Sequence, residues 1–116
     1  MSRMKSCLDY LDDIVDTSRK IAGFIDGMSY DQFKLDDKTV FAVVRALEII
    51  GEAAKQVPTA MRDRYSDVPW RSMTGMRDKL IHGYSGVDVQ MIWKTITEDL
   101  LLLIPQILKI LEQNSD

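Results

Sequence analysis

The chain of 116 residues has one cysteine and one histidine. Cys7 has no partner for an internal disulfide, and a zinc site needs more ligands than one Cys and one His. A lone thiol fits a reducing compartment, so the expected location is the cytosol. Long apolar runs are also missing. The greasiest stretch, Leu100 to Ile104, is five residues long and follows Glu98 and Asp99. It is far too short to span a bilayer. The opening residues, MSRMKSCLDYLDD, meet acidic side chains too early for a signal peptide. No internal repeat, low-complexity tract, linker or run of strand alternation is visible. Excess positive charge is lacking as well. The net charge of −3 argues against a general nucleic-acid binder.

What is present is helical periodicity. Met4, Leu8, Leu11, Ile14, Ile21 and Ile25 recur at three-, four- and seven-residue steps, as one face of a helix requires. Gly27 fits the end of that helix. SYDQF reads as a turn or a single helical turn. Asp36 or Asp37 can cap a second long helix carrying Val40, Phe41, Val44, Leu47, Ile50 and Ala54. Pro58 predicts its stop near Val57. Residues 59–67 suit a short helix. Pro69 can pre-set the first turn of a helix from about Trp70 to His82, with Gly83 as its stop. A last helix from about Asp88 carries Met91, Ile92, Ile96, Leu100, Leu103, Ile107, Leu108 and Leu111. Pro105 lies inside it and is expected to kink it. One all-α domain over residues 1–116 follows: amphipathic helices joined by short loops in an antiparallel bundle.

Apolar residues make up 46 % of the chain and charged residues 28 %, a balance that suits a globular protein of this length. Charge is unevenly spread. Residues 1–60 hold 8 basic and 10 acidic side chains, and residues 85–116 hold 2 and 5. Residues 61–84 hold 5 and 3, and the single histidine besides. This locally basic third contains RDKLIHGY, residues 77 to 84. Asp78 and His82 are four apart and share a helix face, so the carboxylate can fix the imidazole tautomer. Arg77 lies five residues before His82, about 140° around the helix. Two copies facing each other across a symmetry axis would bring arginines and histidines into one cleft. Arginine forks hydrogen bonds onto phosphate, and histidine moves a proton near neutral pH. In RNA the 2′-hydroxyl is a built-in nucleophile, and its attack needs no metal. On residue types alone, the plainer reading is a histidine that complements the helix dipole, an Arg–Asp surface pair and a packing tyrosine.

MRDKLIHGY resembles the arginine, polar residue, histidine and tyrosine signature of HEPN domains. It is most similar to the HepT-like toxins of type VII HEPN/MNT toxin–antitoxin pairs. ALEIIGEAAKQVP, VPWRSMTGMRDKLIHGY and VDVQMIWKTITEDL resemble the same family in the same order, and together they cover most of the chain. The resemblance implies a four- to five-helix bundle that forms a homodimer and acts in a prokaryotic cytoplasm as a metal-independent endoribonuclease. No cofactor is implied, and the products would carry 2′,3′-cyclic phosphates. By position, Arg77 and His82 would be the catalytic pair, with Asp78 in support. Tyr84 would be the tyrosine that a partner nucleotidyltransferase antitoxin modifies with AMP. The alternative is a HEPN module that has lost cleavage and docks such a nucleotidyltransferase.

Other features carry less. Arg62, Arg64, Arg71 and Lys79 can track an RNA backbone or form a solvated helical face. Glu48 and Glu52 lack the Glu-x-x-His partners of a di-metal bundle, and flanking Arg45 and Lys55 point to surface ion pairs. Trp70 and Trp93 read as packing anchors rather than base-stacking platforms.

Overall fold

The computed structural model describes the backbone of residues 6–82 and 88–114, with the side chains of all of these except 77–82. Every regular element among the described residues is helical: α1 Cys7–Phe24, α2 Tyr30–Leu35, α3 Asp37–Lys55, α4 Thr59–Arg64, α5 Trp70–His82, α6 Val89–Lys94 and α7 Leu100–Gln113. A π-helical turn, Thr95–Asp99, joins α6 to α7 without a break. The all-α bundle read from the periodicity is the observed fold.

Local side chains start most of these helices. Ser6 and Asp9 form a reciprocal capping box at α1, and Ser29 and Gln32 form another at α2. Asp36 closes α2 and caps α3 in one residue, accepting from the Thr39 N–H at 3.1 Å. Asp88 accepts from the N–H groups of Gln90 and Met91 at the start of α6. α1 ends earlier than Gly27. Ile25 is its cap, and Gly27 supplies the left-handed turn that follows, at φ 77°. α3 likewise stops at Lys55, two residues short of Val57, and α4 ends at Arg64 rather than 67.

The Thr39 N–H, followed by the Thr39 hydroxyl, holds the Asp36 carboxyl below its usual value near 3.8. A carboxylate held low in the folded state adds stability above its unfolded pKa and loses it as pH falls through the folded one. The thermal stability of the wild type should therefore fall as pH drops below about 4. Asp36→Asn, which keeps the cap, should show less of that acid sensitivity. Parallel melts of the two proteins at pH 3 and pH 6 check this.

α3 is the central helix, packed on α1 along one side and α5 along another, while α7 lies chiefly against α1. Leu11, Ile14 and Ile21 of α1 meet Val43, Leu47, Ile50 and Ala54 of α3 and Leu103, Ile107 and Ile110 of α7 in one core. Phe33 of α2 is fully buried and lies 5.1 Å from the Trp93 ring, which also approaches Tyr30 at 6.2 Å. Trp93 is thus a packing anchor. Phe41 departs from expectation. It is 65 % exposed, while Val43 and Ala46 face inward. With two neighbours to serve, α3 buries Val43, Ala46, Ala53 and Gly51 beside the Leu47–Ile50–Ala54 stripe. The Arg45–Glu48 ion pair, at 3.3 Å, confirms a surface role for that pair.

Pro105 lies inside α7. The regular pattern changes upstream of it, where the Leu100 N–H donates to the Thr95 carbonyl five residues back. Thr95 and Thr97 donate their hydroxyls to the carbonyls of Met91 and Trp93, at 3.0 and 2.7 Å. Such back-bonds compete with the helix ladder and favour irregular turns.

Candidate active site

α5 carries the motif, and its first turn is held firmly. The Met73 N–H donates to the Pro69 carbonyl, so proline opens the helix as its fixed φ allows. Trp70 is 7 % exposed and donates its indole N–H to the Tyr65 carbonyl at 3.0 Å. It too is a packing anchor. α7 pins the loop before it at two points. Gln106 donates to the Asp67 carbonyl at 3.1 Å, and Asn114 donates to the Tyr65 hydroxyl at 3.0 Å. The stem of α5 is therefore a fixed mount for whatever its far end carries.

The far end holds Arg77, Asp78, Lys79 and His82 in the last turns of α5. Their side chains lie outside the described residues, as does Tyr84 altogether. Backbone register still orders the positions. Trp70 and Met73 are buried, and steps of seven and four from them reach position 77. Arg71 is exposed and Gly75 half-buried, and steps of three to eleven from these reach 78 and 82. Positions 77 and 82 thus fall on different sides of α5, about 140° apart. The helix that the sequence called for is present, and its register sets positions 77 and 82 about 140° apart.

The surrounding cations divide. Arg71 and Arg64 are exposed, with the Arg64 guanidinium 5.5 Å from the Tyr65 ring. Arg62 is committed elsewhere. Its Nε donates to the Val57 carbonyl at 2.9 Å and a terminal nitrogen to the Lys55 carbonyl at 3.1 Å. It satisfies carbonyls at the end of α3, a role that its place in a basic stretch did not reveal. Among the described residues no three His, Cys, Asp or Glu side chains converge as metal ligands. No helix of the described residues is long and apolar enough to cross a membrane.

One feature had no signal in the sequence. A groove of about 420 Å³ opens between α5 and the π turn with α7, floored by Leu47 and Ile50 of α3. Met73 and Met76 form one wall, and Leu100, Leu102 and Leu103 the other. Met76 is the residue before Arg77.

The model of the ribonuclease HepT-like family matches residues 14–113, which include all of α5 and position 84. A Thermococcus cleftensis protein named "Probable ribonuclease HepT" is 49 % identical over 96 residues, covering 83 % of this chain and 87 % of its own. A candidate RNase of Caldanaerobacter subterraneus subsp. tengcongensis is 41 % identical over 110 residues, covering 95 % and 98 %. A longer Methanocaldococcus jannaschii protein, named for both a gamma-glutamylcyclotransferase and a candidate RNase, is 36 % identical over 104 residues and is matched over 47 % of its length. No solved structure matches the chain significantly. With the helical bundle, the motif on α5 and a family match over nearly the whole chain, this protein belongs to the HepT-like ribonuclease family.

Proposed function

We propose that the protein is a metal-independent endoribonuclease, the toxin of a type VII HEPN/MNT toxin–antitoxin pair. The observation that carries the reading is the Arg77-x4-His82 spacing at the end of α5 in a chain of this family. His82 takes the proton of an RNA 2′-hydroxyl, and the freed oxygen attacks the adjacent phosphorus. Arg77 neutralises charge on the phosphoryl oxygens as the five-coordinate intermediate forms. The P–O5′ bond breaks, the leaving 5′-oxygen takes up a proton, and a 2′,3′-cyclic phosphate remains. Asp78, four residues before His82, orients the imidazole. Arg71, Arg64 and Lys79 guide the RNA backbone. Arg77 and His82 act together across a homodimer, because one helix holds their positions apart.

The direct test incubates the purified protein with single-stranded RNA and analyses the new ends. Cleavage should persist in excess EDTA and yield 5′-hydroxyl and 2′,3′-cyclic phosphate termini. Activity that disappears with EDTA and returns with a divalent ion would mean a different reaction class. A dimer that binds a nucleotidyltransferase and cleaves no RNA would support the docking module instead.

A further inference from the structure

We infer that the outer face of α3 is a self-complementary contact, through which two copies of this chain pair antiparallel with Phe41 of each against Ile49 of the other. Pairing through α3 goes beyond the proposed function and needs no cleavage activity. It doubles whatever species the chain otherwise forms, so the homodimers proposed above would become tetramers.

α3 packs on α1 along one side and on α5 along another. Its remaining side carries Lys38, Phe41, Arg45, Ile49 and Glu52, all exposed and recurring at steps of three and four. Arg45 lies about 160° around the helix from Leu47, which is buried in the core. Phe41 is 65 % exposed and Ile49 36 %. A single exposed apolar residue is ordinary. The order along this stripe is not. Four residues out from Arg45 in either direction stands an apolar side chain, Phe41 or Ile49. Seven residues out stand opposite charges, Lys38 and Glu52. A two-fold contact lays one patch on its own copy. With two antiparallel α3 helices and the axis at Arg45, Phe41 faces Ile49 and Lys38 faces Glu52, each twice over.

Charge selects the occupant. Each end of the antiparallel contact sets an ammonium against a carboxylate, whereas a parallel pairing would set Lys38 on Lys38 and Glu52 on Glu52. Nucleic acid, uniformly negative, would meet both signs on the one stripe. At the axis the two Arg45 side chains come together, and each is neutralised by its own Glu48 at 3.3 Å. Ala42 falls opposite Glu48 and leaves space for these pairs. A helix face about 21 Å long is smaller than a stable interface, so the contact is weak by itself.

Sedimentation velocity on the full chain, from about 10 μM to about 1 mM, covers the range of a transient contact. The wild type should double in mass across it. Phe41→Arg should abolish the doubling. Lys38→Glu and Glu52→Lys should each weaken it about tenfold or more, because each sets like charges face to face at both ends. The two reversals combined in one chain restore opposite charges, and association should return to within about threefold of wild type. Positions 38 and 52 are about 21 Å apart on one helix, so this rescue acts only between copies. The reversals also spare the fold: glutamate in the first turn of α3 and lysine in its last both suit the helix dipole. Circular dichroism checks that all variants keep their helicity. Arg19→Glu, the same kind of reversal at an exposed position of α1, should leave the doubling unchanged. A wild type that does not double would overturn the inference. So would doubling that survives Phe41→Arg, single reversals without effect, a combined variant no better than the single ones, or doubling lost through Arg19→Glu. If the wild type does not double and Phe41→Arg instead costs RNA binding, the stripe serves the substrate and the α3 pair falls.

Discussion

His82→Ala is expected to lower RNA cleavage by about 10²–10⁴-fold, the usual worth of a positioned general base. Arg77→Ala should lose about 10²–10³-fold, as removal of one group that meets developing charge commonly does. Neither change should alter helicity or association. The stronger form of the prediction mixes the two. If each site takes its arginine from one copy and its histidine from the other, an equal mixture contains heterodimers with one intact site and one doubly damaged site. Statistical pairing then restores about a quarter of wild-type activity. The variants must be co-refolded or co-expressed so that subunits exchange. No recovery, with heterodimers verified by mass, would place both groups in the same protomer despite the separation of about 140° between their positions on α5.

The second large effect concerns Tyr84, two residues after His82. Co-expression with the cognate nucleotidyltransferase should raise the protein's mass by one or more AMP units, all on Tyr84, and silence cleavage. The chemistry is a nucleotidyl transfer. The tyrosine oxygen attacks the α-phosphorus of ATP, pyrophosphate leaves, and a phosphodiester to AMP remains. That adds bulk and negative charge beside the residues proposed to bind the RNA phosphate, and the new phosphate competes for the same arginine. Tyr84→Phe should escape modification and stay active with the antitoxin present. If it loses cleavage without the antitoxin, the hydroxyl also works in catalysis or substrate binding. Intact-mass and peptide mass spectrometry decide the point. Modification at Tyr10, Tyr30 or Tyr65, or none, would refute the switch.

The two groups of residues behind these predictions differ in how far the sequence exposes them. RDKLIHGY is a contiguous segment, so its spacing and helical register are visible without any tertiary contact. Capping is similarly local. Ser29, Asp36 and Asp88 each bond to an N–H two or three residues onward. Arg62 is different. Its carbonyl partners are also near in sequence, but only the reversal of the chain between α3 and α4 turns them toward the guanidinium. The basic segment around it suggested a phosphate path and concealed a structural bond.

By itself the sequence determined the helical class, the approximate element boundaries and the place of the Arg–His motif at the end of α5. These depend on apolar recurrence near 3.6 residues, capping groups and proline or glycine punctuation, all of which act within a few positions. The tertiary structure alone decided which apolar residues are core, as Phe41 and Val43 show, because burial on α3 depends on two helices packed against it. It also decided that a groove remains between α5 and α7. That space depends on how α5 sits on α3 and α7 on α1, and on loop bonds such as Gln106 to Asp67, 39 residues apart. Periodicity describes the faces of one helix; which faces meet, and which stay open, is settled by contacts between distant residues.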